Sequence, residues 1–136
     1  MAIQYSLTHR TNAMSQLNTD IGVNAVIKIF TGTPPATCAT ADTGTLIVTF
    51  AGNAGGFGTA SAAVLTASAV ASANATGAGT NTAGYFRIYP SAATTTNAVV
   101  QGTCGLSAAD MILTNTSITS GQTCNFTSLT VTAFGV

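Results

Sequence analysis

Two hydrophobic periods divide the chain. Up to residue 21 the apolar positions Leu7, Met14, Leu17 and Ile21 fall at intervals of seven, three and four, which is one face of a helix. Ser6 stands before that stripe as an N-cap, and Gly22 follows where a C′ glycine closes a helix. A helix is therefore predicted over 6–21, with Asp20 mildly opposing its dipole. The stripe is narrow, as for a helix laid across a sheet or against a neighbouring subunit.

After Gly22 the period becomes two. Strands are predicted over 24–31, 45–50, 59–67, 83–89, 98–103, 111–115 and 124–134, with a weaker one over 69–74. The intervening stretches, such as "GTPPATCATADTG", "AGNAGGFG", "NATGAGTNTAG" and "SGQT", are rich in turn-forming residues. Short strands with turn chemistry between them imply a mainly β fold: an antiparallel β-sandwich or jelly roll of seven or eight strands with one N-terminal helix. No helical crossover is available to build a parallel sheet. The expected organisation is a single domain over 1–136, with a helical segment at 1–22 and the β-sandwich at 23–136.

Alternation within strands sorts the faces. In "GYFRIYP", Tyr85, Arg87 and Tyr89 share one face, and Phe86 and Ile88 the other. In the last strand Ser128, Thr130 and Thr132 form a hydroxyl ladder opposite Leu129 and Val131.

Composition narrows the function more than the fold. Only 4% of the 136 residues are charged, where about 25% is usual. Net charge is zero, so nothing would hold a polyanion by counterion release, and nucleic acid is not an expected partner. A surface of hydroxyls and amides gives copies little reason to repel, which suits either an assembly subunit or a Thr/Asn-wetted monomer. No apolar run is long enough to span a bilayer, and the N-terminus has no secretory h-region, so a cytoplasm is the expected site of synthesis. Without secretion, the sequons at Asn74, Asn115 and Asn125 carry no meaning.

Candidate chemistry is sparse. Cys38, Cys104 and Cys124 lack zinc-ligand spacing and are expected as reduced, mostly buried thiols, one Cys104–Cys124 disulfide being the alternative. His9 is the one histidine, and no carboxylate lies three or four positions away to tune it as a base. Asp20, Asp42 and Asp110 form no metal motif, and neither glycine-rich loop has a P-loop lysine. No cofactor is expected. Tyr85, Arg87 and Tyr89 could stack on sugars or bases, or pack against the protein with Arg87 held by a carboxylate such as Asp110; the second is preferred because no further basic residue supports the first.

The segments "IKIFTGTPPAT", "TGTLIVTF", "GYFRIYPS", "VVQGTCG" and "AADMILTNTSITSGQTCNFTSLTVT" resemble a family of small virion proteins of tailed bacteriophages. Over most of the chain the order of parts is the same. A helical stretch leads to a strand ending in an aromatic-Thr-Gly-Thr-x-Pro turn, and an aromatic-Phe-Arg-Ile strand follows. Next come a Gly-Thr-x-Gly turn, an Asp before a strand containing Asn, and a Gly-Gln turn. This chain departs from the pattern at Tyr85, where tryptophan is frequent, and at Cys104, where a small aliphatic residue is usual.

The resemblance implies a non-enzymatic capsid decoration, or cement, protein. It would oligomerise on the outer shell and bridge major capsid protein subunits. Expected partners are then the major capsid protein and the chain itself, as homodimer or homotrimer, with no nucleic acid and no membrane. The expected location is the capsid surface of the virion. Candidate interface residues are Ile3, Tyr5, His9 and Arg10 in the N-terminal segment, and Thr33, Pro34 and Pro35 in a loop at 32–44. The alternative is a tail, neck or fibre module that holds host-surface glycan through Tyr85 and Tyr89 or a hydroxyl ladder.

Overall fold

The structure is a computed structural model and describes residues 3–53, 57–67, 71–126 and 129–133. The fold is mainly β with one helix, as the change of period predicts. The helix α1 spans Leu7–Ile21. Its first turn is capped by Ser6 Oγ, which accepts the His9 N–H at 3.2 Å, and Gly22 ends it in the left-handed region (φ 70°), donating to Asn18 O. The stripe buries Met14 and Ile21 and half-buries Leu17, while Leu7 stays exposed. Thr11 fastens the helix to the β region, its hydroxyl accepting the Ala63 N–H at 3.1 Å.

The strands are β1 (Ala25–Phe30), β2 (Leu46–Asn53), β3 (Val64–Thr66), β4 (Ala71–Asn74), β5 (Thr80–Thr82), β6 (Tyr85–Tyr89), β7 (Val100–Gly105), β8 (Met111–Ile112), β9 (Ser117–Thr119), β10 (Thr123–Phe126) and β11 (Thr130–Thr132). Five of them form one mixed sheet in the order β2-β1-β6-β7-β8, and the rest form two-stranded ladders, β10-β4, β11-β3 and β5-β9. Pairing is antiparallel except between β7 and β8, which run parallel through Cys104↔Met111 and Gly105↔Ile112. That pair corrects the expectation of a purely antiparallel arrangement. A parallel contact of two residues needs no helical crossover, and the loop 106–110 suffices because Asp110 ties it back. The Asp110 carboxylate accepts the Thr103 N–H at 2.8 Å and the Thr103 hydroxyl at 2.9 Å.

Further differences follow from short polar strands. The predicted strand over 59–67 contracts to β3, because Ser61–Val64 forms a tight turn with Ala62 and Ala63 at φ 48° and 63°. The predicted last strand contains two, β10 and β11; Ser128 and Phe134 lie outside the described residues. β5 and β9 arise in stretches read as connections. They are short and mostly hydroxylated, and of their residues only Ile118 is buried.

The sheet is covered on both faces. On the inner face Ile27, Ile29, Phe86 and Ile88 join Met14 and Ile21 of the helix, and Leu65, Ala75, Ile118, Leu129 and Ala133 of the ladders and their flanks, in one core. Each fully buried aliphatic side chain there is worth about 1.5–3 kcal/mol. At the top of the sheet Gly84 lies against Gly32, and a Cβ on Gly84 would sit 1.9 Å from Gly32 O, so only glycine permits that approach. This contact places the start of the 32–44 loop over the outer face.

Candidate functional site

The outer face of β6 carries Tyr85, Arg87 and Tyr89, the alternation read from the sequence, and all three are fully buried. What buries them is the loop 32–44. Its neck is closed by the Thr31 N–H to Thr45 O (3.0 Å) and the Thr45 N–H to Thr31 Oγ1 (2.8 Å). From there the loop crosses the strands, and each side chain beneath it seizes a different part.

Arg87 is the centre. Its Nη1 donates to Asp42 Oδ1 at 2.7 Å and to Thr40 O at 2.9 Å; its Nη2 donates to Thr37 O and to Gln101 Oε1, both at 2.8 Å; its Nε donates to Gln101 Oε1 at 3.0 Å. Gln101, the cross-strand partner of Arg87 on β7, passes its Nε2–H on to Pro35 O at 2.7 Å. Tyr89 donates its phenol proton to Asp42 Oδ1. Tyr85 accepts the Thr43 N–H at 3.0 Å and donates to Thr43 O. The Asp42 N–H reaches Thr95 O at 3.0 Å, which adds the 90–98 connection to the assembly. Val26, Tyr89 and Ala98, with Cys38 and Ala93 against them, form a small apolar cluster beside the ion pair. Lys28 lies across from Arg87 on β1, its ammonium 4.8 Å from the Tyr89 ring centroid.

The electrostatics follow from this geometry. Burial alone would lower the pKa of the Arg87 guanidinium, but its bonds to Asp42 and Tyr89 outweigh that and hold it above the ordinary arginine value. The Tyr89 phenol is pushed well up, first by burial and then by the carboxylate it donates to. Arg87 is thus a fully occupied fastener. The carboxylate that holds it is Asp42, not the suggested Asp110, which lies at the β7–β8 connection with its own pKa lowered by the Thr103 N–H and hydroxyl.

The remaining sequence candidates sort by exposure. Ile3 is 80% exposed; Tyr5 and His9 are exposed and stack with ring centroids 5.3 Å apart. Arg10 is half-buried, and its buried Nε–H has no hydrogen-bond partner among the described residues. Thr33 is exposed and Pro34 partly so. Pro35 is buried, its carbonyl held by Gln101, so its ring is not offered to a partner. The N-terminal four sit at the start of α1 and the other three at the start of the loop, on separate elements. The cysteines are free thiols, and burial with Asp110 nearby pushes Cys104 up to about 12. The alternative Cys104–Cys124 disulfide is therefore not formed. Among the described residues no group of three or more His, Cys, Asp or Glu side chains could hold a metal ion, and no helix is long and apolar enough to cross a membrane.

Sequence reasoning missed the roles of Asp42, Thr43 and Gln101. A signal was present for Asp42. It is the only charge in the 32–44 loop, and an arginine flanked by Phe86 and Ile88 in a buried strand needs a carboxylate from somewhere.

A cleft of about 580 Å³ lies on the other side of the molecule. It runs between β8 and β10, with Ile29, Phe50, Met111, Ile118 and Leu129 at its base.

No known protein family matches the chain, and no curated protein or solved structure is significantly similar to it.

Proposed function

We propose that this chain is a non-enzymatic structural protein of a tailed-phage virion, a capsid decoration protein that joins major capsid protein subunits from the outside. The observation that carries the reading is the use to which the segments of the resemblance are put. "TGTPPAT", "GYFRIYPS" and "VVQGTCG" meet in space around Arg87, where they fasten a loop to a sheet. The likeness therefore lies in a fold-building unit that presents a rigid loop, and a rigid loop with few charges suits an interface core, which is depleted in charge. Pre-ordering the loop also lowers the entropy cost of docking.

In finer architecture the reading is a sandwich. The five-stranded sheet would form one layer and the ladders the other, an arrangement supported by their shared core. Shell binding acts by mass action: a chain that binds assembled shell and not its separated subunits stabilises the shell. The glycan reading loses its two aromatics, since Tyr85 and Tyr89 are 0% exposed and present no ring face to a sugar.

The test uses phage heads that lack the chain. Purified protein added back should bind them saturably and raise the temperature at which they release DNA. No binding to heads, with binding to tails or to host-surface polysaccharide instead, would overturn the proposal.

A further inference from the structure

The cleft between β8 and β10 is bounded by two strand edges. β8 is the last strand of the five-stranded sheet and β10 is an outer strand of its ladder, and Met111, Ile112, Thr123 and Asn125 line the space between them. Strand edges present backbone donors and acceptors to any extended chain that enters. The base is apolar, and Ile112 is 60% exposed. An occupant should therefore be extended, apolar on one face and able to pair through its backbone.

The chain supplies such a segment. Residues 3–6 precede α1 without regular structure, and Ile3 and Tyr5 alternate with Gln4, so they share a face when extended. Charge also matches. Asp110 is the one charged residue lining the cleft, held ionised by Thr103, and Arg10 is the one charged residue between positions 3 and 19.

We propose that the cleft between β8 and β10 seats the N-terminal segment, residues 3–6, of a second copy of this chain, added as an extended strand with Ile3 directed into the cleft. Exchange of segments between two copies gives a closed dimer, and cyclic exchange a ring. In the decoration reading, which this inference deepens, the arm contact would build the oligomer and leave the Arg87-fastened loop to meet the shell.

The test is complementation between two full-length variants, read by light scattering after size-exclusion chromatography. Ile3→Asp spoils the arm and Ile112→Asp spoils the cleft; both positions are largely exposed, so the fold should persist by circular dichroism. Thr130→Arg, at an exposed cleft-lining position on β11, gives a second cleft block should Ile112→Asp misfold. The wild type should be oligomeric and each variant should associate at least about tenfold more weakly, the worth of one buried aliphatic side chain. An equimolar mixture should form a heterodimer, because one intact arm then meets one intact cleft. A monomeric wild type at the highest soluble concentration, variants that associate like the wild type, or a mixture that stays monomeric would each overturn the inference. A monomer that still binds heads would overturn this inference alone, and an arm-exchanged oligomer that ignores heads would overturn the decoration reading alone.

Discussion

Replacing Arg87 by methionine should release the 32–44 loop while leaving the inner core in place. The side chain is 0% exposed and its ion-pair partner Asp42 is 11% exposed, so the substitution strands a carboxylate, the Gln101 Oε1 and the carbonyls of Thr37 and Thr40 beneath the loop. Breaking a buried pair by removing one partner costs about 3–5 kcal/mol, and each orphaned neutral acceptor a further 1–3 kcal/mol or so if it stays dry. Those costs do not simply add, because the loop can lift and let water reach the stranded groups. Lifting forfeits the bonds of Tyr85, Tyr89 and Gln101 to the loop and exposes the Val26–Tyr89–Ala98 cluster. The loss should settle near 3–4 kcal/mol, a third or more of the stability of a typical domain. Urea titration reads the total, and hydrogen exchange reads where it falls. The Asp42 and Thr43 amides, bonded to Thr95 O and to the Tyr85 hydroxyl, should lose protection, while amides of the β1–β6 ladder keep theirs relative to the global value. Adding Asp42→Asn should recover part of the loss, since it removes the stranded charge. A destabilisation under about 1 kcal/mol, the scale of an exposed salt bridge, or unchanged protection at Asp42 and Thr43 would refute the fastening argument.

Three other sites give independent checks. Ala62 is exposed at φ 48°, so Ala62→Gly removes a left-handed strain of roughly 1–2 kcal/mol, and after the added chain entropy should stabilise by about 1 kcal/mol in urea. Because Asp110 has its pKa lowered in the folded state, its contribution is present above the unfolded carboxylate value and lost as pH falls through the folded one; Asp110→Asn should flatten that acid limb of Tm against pH, and an unchanged limb would contradict it. Cys104, pushed up to about 12, should resist alkylation at pH 8.5 in the native protein and react once unfolded, as mass spectrometry of the labelled peptide would report.

Much of this molecule was legible where local chemistry decides the outcome. Ser6, the Met14–Leu17–Ile21 stripe and Gly22 specify α1 almost to the residue, and the alternation in "GYFRIYP" assigns the two faces of β6 correctly. What stayed hidden depends on contacts distant in sequence. Arg87 and Asp42 are 45 residues apart, and nothing local tells a buried arginine which of three aspartates will reach it. β5 and β9 stayed hidden because hydroxylated triplets pair here by register, Thr80 opposite Thr119 with their hydroxyls 3.0 Å apart, and not by an apolar period. The parallel β7–β8 contact rests on a carboxylate tying a tight loop, which no hydrophobic pattern encodes. Within the candidate interface, Ile3 and Thr33 are exposed, whereas Pro35 reads like its neighbour Pro34 in sequence and differs because Gln101 draws its carbonyl inward.

The proposed place on the phage shell can be read from copy number. Quantitative mass spectrometry of purified virions would set this chain against the major capsid protein with labelled peptides of both. A lattice-bound decoration protein should be present at a stoichiometry comparable with that of the shell subunit. A ratio far below it, or absence of the chain from virions, would rule out a decoration role on the shell lattice.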